Sequence, residues 1–405
     1  MQKQIKEVVL NPLRIYILGL GNLGQYVAYS LKDHDQNLPL RMIVPNLKVL
    51  KEFQKNPKIQ YLHYDGFTRA VSEDISSRPG IGKQRGKIAS LILSTHPSQA
   101  KDAIKPFVHL LGRHSEVLFL HQGFGVIEEV MKMFPNGKRR PRFWTSLCRA
   151  QVSSSPDNDP FSIYLEKPGP LEIEYSKQSE MDNADNPENA EPPLPYLIQQ
   201  LLATSSLDVK ILPPKLMYLN HLEKLAIQAV LHGTAGLFGC TIGQLRATAE
   251  RQRILKLITK EVCQVIFALA PKTGYSNIRE RLLPKNLKSL INYEMGQQEK
   301  NYSLIQKWEP VRERNPELKR NYPTELNNGL SLEDVNGYIV RKGQELGIPM
   351  PNNIMMLELL RMGRTLNFKQ ADRHFYVKKD WDWGMLEPSK ELPPRRWKGK
   401  QWSWA

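Results

Sequence analysis

Gly19, Gly21 and Gly24 stand in the pattern G-x-G-x-x-G between an apolar run, Arg14–Leu20, and a segment of helical composition, Asn22–Lys32. Each glycine has a physical task in that setting. The first permits a tight turn, the second lets backbone approach a pyrophosphate, and the third allows a helix to pack closely on a strand. The N-terminus of the following helix then faces the phosphates with its unpaired N–H groups. Strand, glycine turn and helix in this order predict a Rossmann-type βαβ unit.

The chain continues in the same idiom. Leu38–Val44, Ile88–Ser94 and Val117–His121 are short apolar runs bounded by polar turns. Lys48–Lys55 and Ala100–Leu111 have helical spacing. Alternation of this kind predicts a doubly wound, parallel α/β sheet. Pro168–Pro195 contrasts with it: Glu172, Glu174, Glu180, Asp182, Asp185, Glu188 and Glu191 crowd a stretch rich in Asn and Pro. We read about 168–195 as a partly disordered acidic insertion on the surface.

Beyond Tyr218 the pattern becomes helical, with candidates at Leu219–Leu237, Ile242–Leu269, Leu287–Gln298, Ser331–Leu346 and Asn353–Met362. For 405 residues, at about 100–200 residues per domain, two domains are expected. The predicted division is an N-terminal segment 1–12, a Rossmann-like domain 13–210 carrying the insertion, an all-helical domain 211–368, and a tail 369–405. No apolar run reaches the ~18 residues that span a bilayer. Cys148, Cys240 and Cys263 are widely spaced and odd in number, which argues against a disulfide framework or a zinc site.

Charge suggests a polyanionic partner. Lys and Arg number 57 against 41 Asp and Glu, a net charge of +16. The tail His374–Ala405 holds Trp381, Trp383, Trp397, Trp402 and Trp404 among Lys378, Lys379, Arg395, Arg396, Lys398 and Lys400. Cations attract phosphates and aromatic rings stack on unpaired bases, so Lys378, Lys379, Trp381, Trp383, Arg395, Arg396, Trp397 and Lys398 are nucleic-acid candidates. A strap docked on protein is the other reading of the same residues. Further basic clusters lie at Lys83-Arg85-Lys87, at Lys138-Arg139-Arg140 with Arg142, and at Arg246–Lys260.

Two segments add family character. His121-Gln-Gly-Phe-Gly125 follows an apolar run, and Glu223-Lys-Leu-Ala226 lies in the first long helix. With Gly19–Gly24, Leu91–Ser94, Asn336-Gly337-Tyr338 and Gly347-Ile348-Pro349, these resemble the ketopantoate reductase (2-dehydropantoate 2-reductase) family over roughly residues 13–365. The resemblance implies a Rossmann-type domain followed by a helical domain of the 6-phosphogluconate-dehydrogenase-like kind. It implies NADPH as cofactor, held by Gly19, Leu20, Gly21, Asn22, Leu23 and Gly24 with Gln122. It implies Lys224 as the catalytic lysine that polarises the substrate carbonyl, and Asn286 with Ser289 as substrate contacts. Family members often dimerise, so a homodimer or a protein partner is a further expectation; no metal is implied.

The departures from the family pattern are several. His96 stands where the family has a lysine, Gln122 and Gln228 where it has asparagines, Ser331 where it has a substrate-binding carboxylate, and Pro45 where an arginine binds the NADP phosphate. Neither an acid nor an arginine follows the second strand at Val44-Pro45-Asn46, and Lys48 is the nearest cation. On this reading Lys224 is vestigial, paired to Glu223 or to an acid of the insertion. Fungal ketopantoate-reductase-like proteins that activate translation of cytochrome b messages are similar in Leu222–Leu225, Leu332–Tyr338 and basic balance. That similarity implies a non-catalytic mitochondrial protein associated with messenger RNA or the ribosome. The alternative is a cytoplasmic, NADPH-dependent 2-oxo acid reductase.

Overall fold

The computed structural model describes residues 13–19, 21–44, 50–51, 53–55, 58–62, 68–72, 74–77, 87–120, 125–134, 140–154, 161–175, 194–238, 240, 242–270, 276–297 and 332–371. By its contacts the chain divides after Arg361, and the account below concerns the unit Met1–Arg361.

The first half is built on one eight-stranded sheet. Its members along the chain are β1 (Ile15–Leu18), β2 (Leu40–Val44), β5 (Asp74–Ser77), β6 (Ser90–Leu93), β7 (Glu116–Phe119), β8 (Arg142–Cys148), β11 (Leu171–Tyr175) and β12 (Lys210–Ile211). Their order across the sheet is β12-β11-β8-β7-β6-β1-β2-β5. Every pairing is parallel except that of β11 with β8. The residues of β1, Ile15, Tyr16, Ile17 and Leu18, are all buried, as a strand covered on both faces requires. Alternate side chains divide between two cores. Ile15, Ile17, Met42, Ile92, Leu118 and Trp144 enter one; Tyr16, Leu18, Ile43, Leu93, Phe119 and Phe143 enter the other.

Helix α1 (Asn22–His34) packs on the first of these faces. A second, four-stranded sheet encloses it from outside, in the order β4-β3-β10-β9, formed by β3 (Lys58–Leu62), β4 (Thr68–Ser72), β9 (Gln151–Ser154) and β10 (Ser162–Lys167). Tyr29 stacks on Tyr61 at 4.2 Å between ring centres. Enclosure on both sides explains why polar Gln25 and Ser30 are buried with Tyr26, Val27 and Leu31. The opposite face carries α2 (Ala100–Ile104), which a 3₁₀ turn continues through Lys105–Leu110, and α3 (Val126–Met131). Helix α4 (Tyr196–Ala203) buries Leu197, Ile198 and Leu201 in the α1 core.

Two sequence expectations are corrected in this half. The acidic segment was expected to lie on the surface from about 168, yet Leu171–Tyr175 forms β11, inside the main sheet. Leu171 and Ile173 point into the core between Glu172 and Glu174, so period-2 alternation prevails over acidic composition. Arg142, assigned to a basic cluster, pairs with buried Glu116, which also accepts a bond from Trp144 Nε1 at 2.6 Å.

The second half is helical. It comprises α5 (Pro214–Ile227), α6 (Gly233–Phe238), α7 (Ala249–Leu269), α8 (Ser276–Arg281), α9 (Pro284–Gln297), α10 (Tyr338–Glu345) and α11 (Pro351–Ala371). Leu222, Ala226, Val230, Ile258, Val262, Ile266, Leu287, Ile291, Val335 and Ile339 share its core. Ile242–Leu269 is not one helix. A 3₁₀ turn occupies Gly243–Arg246, and Thr248 then starts α7 by accepting a bond from Arg251 N–H. Glu261, buried on α7, receives the backbone N–H groups of Asn352 and Asn353 at 3.1 and 2.9 Å and so caps the start of α11.

α5 and α6 form one continuous helix interrupted by a π turn, Gln228–His232, and a second π turn, Glu333–Gly337, leads into α10. The two turns meet. Asn336 Nδ2 donates to the Ala229 carbonyl at 2.8 Å. A side chain on Gly233 would lie 2.9 Å from the Asn336 amide and from Met356.

The glycine turn sets the first testable consequence. A Cβ on Gly24 would lie 2.6 Å from Ser94 Oγ and 2.8 Å from Ser94 Cβ. Gly24→Ala is expected to lower stability by about 1–3 kcal/mol through overpacking. Gly24→Ala combined with Ser94→Gly is expected to recover most of that loss in thermal melts.

Candidate active site along the carboxyl edge of the sheet

The chain reverses direction between β1 and β6. From β1 it proceeds outward through β2 and β5, then returns to the other side of β1. Crevices at such switch points, beyond the carboxyl ends of the strands, are where open α/β sheets bind ligands. Here the crevice is closed down to backbone. Gly19 adopts φ 118°, and a Cβ on it would lie 2.6 Å from the Ser94 carbonyl oxygen. The ladders run past the strand ends, with Gly19 N–H on Ile43 O at 3.1 Å and Ser94 N–H on Leu18 O at 2.8 Å. Helix α1 opens directly above this point. Gly21 caps it without a side-chain bond, and its first turn holds no acid. The positive dipole end of the helix is therefore not offset by an acid of its own first turn. The hydroxyl Oγ1 of Thr95, next along from Ser94, is buried without a hydrogen-bond partner.

Lys224 reaches the same edge from the helical half. Its ammonium donates to the Cys148 carbonyl, at the carboxyl end of β8, at 2.8 Å. β8 is three places from β1 in the sheet, so at ~4.8 Å per strand the lysine lies roughly 14 Å along the edge from Gly19. Burial lowers its pKa to about 8; Arg149 pushes the same way, while Cys148, Glu172 and Glu294 oppose. Asn220, one helical turn earlier on α5, donates to Glu172 Oε2 at 3.1 Å, and Arg149 Nε binds the same oxygen at 3.2 Å. Burial also keeps His221 neutral, with its pKa lowered to about 4. One turn beyond Lys224, Oε1 of Gln228 is buried without a hydrogen-bond partner.

A third element lies between these two. His96, just after β6, meets Asp334 of the second π turn, Nε2 to Oδ2 at 3.2 Å. Its neighbour Glu333 turns away and is held by Arg361 Nε and Nη2 at 2.8 and 2.7 Å.

Comparison with known proteins places this arrangement. The model described as ketopantoate reductase PanE/ApbA matches residues 15–178, and that described as ketopantoate reductase PanE/ApbA C terminal matches 217–364. This chain belongs to the ketopantoate reductase family. A relative from Schizosaccharomyces pombe, named "Probable 2-dehydropantoate 2-reductase", is 22% identical over 67% of this chain and 77% of its own length. A ketoisovalerate reductase of Beauveria bassiana is 22% identical over 89% of this chain and 85% of its own. Among solved structures, a D-mandelate dehydrogenase with NADH and anilino(oxo)acetate superposes with a TM-score of 0.64 at 15% identity, covering 87% of this chain and 99% of that one. These results support the Rossmann-type sheet and helical second half expected from the family resemblance.

The expected family residues fare unevenly. Gly19, Gly21, Asn22, Leu23 and Gly24 lie at the switch point; Leu20, Gln122, Pro45 and Ser331 lie outside the described residues, as does the tail with Lys378, Lys379, Trp381, Trp383, Arg395, Arg396, Trp397 and Lys398. Lys224 is not paired to Glu223. That carboxylate faces the other way and binds Arg281 through both oxygens, at 3.1 and 2.8 Å. Asn286 donates to Glu280 O at 2.7 Å and fixes the turn from α8 into α9. Ser289 is exposed and bonds back to Lys285 O at 3.1 Å. Glu172, an acid of the expected insertion, is among the charges acting on Lys224; Asn220, Arg149 and Asp334 were not anticipated. For Asn220 a signal existed, since four residues before Lys224 is the same helix face as four after it.

Among the described residues no group of three or more His, Cys, Asp or Glu could hold a metal ion, and no helix is long and apolar enough to cross a membrane. The three cysteines are free and buried.

Glu174 offers a check on the seam between β11 and β8. Burial raises its pKa to about 7, against a hydrogen bond from Thr145. Its folded-state pKa thus exceeds the unfolded value, and its contribution to stability is present below pH ~4.5 and lost as pH rises through 7. Glu174→Gln, which imitates the neutral acid, is expected to melt above the parent at pH 8 and level with it at pH 4.5.

Proposed function

We propose that this chain is a nicotinamide-dependent reductase of a short 2-oxo acid of the 2-dehydropantoate class. The observation that carries this reading is the placement of the Lys224 ammonium and the Gly19–Gly24 turn on one carboxyl edge of one sheet. The residues suit a dinucleotide. An α-helix start without acid or side-chain cap receives a pyrophosphate, and buried Thr95 Oγ1 and Gln228 Oε1 mark polar positions still to be matched by a ligand. The names of the fungal relatives, both reductases of 2-oxo acids, and the NADH in the D-mandelate dehydrogenase structure point the same way. A role in mitochondrial gene expression draws no support from these relatives.

A reduced nicotinamide, when bound, supplies the hydride for the carbonyl carbon. Lys224 polarises the carbonyl oxygen and gives it a proton as negative charge develops, leaving a 2-hydroxy acid. Partial burial makes that proton easier to release than from an exposed lysine. Glu172, fixed by Arg149 and Asn220, supplies a nearby negative charge that favours the ammonium.

The test is to titrate purified protein with NADPH, follow energy transfer to the nicotinamide, and then measure its oxidation with 2-dehydropantoate and 2-oxoisovalerate. Absence of turnover with both acids would sink the reading. Lys224→Met is expected to lower kcat by about 10²–10⁴ with no loss of melting temperature, because a charge leaves a buried position. The pH profile has a defined sign. The acid form of Lys224 prevails below about 8, so reduction should be flat there and fall about tenfold per pH unit above it, with the reverse oxidation rising instead.

A further inference from the structure

Resting on that reading, we propose that His96 and Asp334 form a positioning pair that sets the glycine turn and Lys224 at their working separation. Two ties hold the helical half to the carboxyl edge on one flank: Lys224 to the Cys148 carbonyl and Asn220 to Glu172. Both are on the β8–β11 side. The His96–Asp334 contact is made at the end of β6, beside the switch point, at 3.2 Å with side chains only 10% and 16% exposed. Strand β6 lies next to β1 and two places from β8, so the pair falls between the two chemical elements, roughly 10 Å from the lysine along the edge.

The mounting on each side is stiff. His96 follows Ser94, whose backbone is locked against Gly19. Asp334 sits in the π turn whose Asn336 is bonded to Ala229, five residues past Lys224 on the same helix. Glu333 is committed to Arg361, which fixes the rotation of that turn and leaves Asp334 aimed at the sheet. Hydride transfer depends steeply on approach distance, and an error of about 1 Å can cost about 10² in rate. A direct contact at this point ties the end of β6 to the second π turn and makes one jig of the two. Neither residue is assigned a contact with the reacting atoms.

The experiment uses the full chain with His96→Gln, Asp334→Asn, the double variant, and His96→Lys. Turnover is measured with NADPH and the better 2-oxo acid, cofactor affinity by fluorescence, and amide hydrogen exchange in ligand-free protein. We expect kcat to fall about 10- to 100-fold in each single variant, with KM and cofactor affinity changed less than about threefold. The double variant should be no worse than the singles. His96→Lys, which places a donor facing Asp334, should retain most of the parent rate. His96→Gln should speed exchange in 333–337, and Asp334→Asn in 94–97. Additive losses, or exchange in each segment indifferent to the other's substitution, would overturn the pair. If the parent protein itself shows no turnover, the reductase reading fails, and the exchange data alone decide whether the tie exists.

Discussion

The structure depends on one place that has room for no added Cβ. At Gly19 the backbone after β1 lies against the backbone after β6, and at Gly24 the first turn of α1 lies against Ser94. Any Cβ at either position meets atoms at 2.6 Å. This contact fixes where α1 begins, how it crosses the sheet, and where the crevice opens. Thr95 and His96 follow directly after Ser94, so the same contact sets where they leave the sheet. The Gly19 contact, backbone on backbone, has no rotamers to relax, and the Gly24 contact closes on the short Ser94 side chain.

The helical half meets that edge through charge and amide groups rather than apolar packing. Lys224, Asn220, Glu172 and Arg149 form a polar seam, with neutral His221 beside it. An ammonium placed there is less favoured than one in water, because burial strips its hydration. Retaining such a group against its desolvation makes sense where its charge is used. Glu223, the next residue back, shows the contrasting case: it is satisfied by Arg281 and serves the helical bundle.

Much of the fold was legible in the sequence because its signals are local. Ile15–Leu18 beside the glycines, and the change from short apolar runs to long helices after Tyr218, needed no tertiary knowledge. The failures share a physical cause. In Leu171–Tyr175 the acids dominated composition while the alternate apolar residues decided the structure. At Ile242–Leu269 the apolar spacing ran on through Gly243–Arg246, where the backbone turns into a 3₁₀ segment. Within the site, Lys224 and the glycines were found by motif. Asn220 carries no motif of its own; it joins the site through Glu172, which only the fold brings to it. His96 was read as the loss of a lysine, since its partner Asp334 is brought to it only by the packing of two π turns.

The π turn at Gln228–His232 has one more implication, for how such a helix can change. A π turn holds one residue more than the α-helical frame requires. Deleting one residue between 228 and 232 would restore an unbroken α-helical frame, because the wider turn absorbs the extra residue locally and the helix resumes its phase beyond it. Before the turn Asn220 and Lys224 face the sheet edge, and inside it Ala229 gives its carbonyl to Asn336. The extra residue is therefore a local detour that presents a backbone acceptor to the second π turn while the helix on either side keeps its facing.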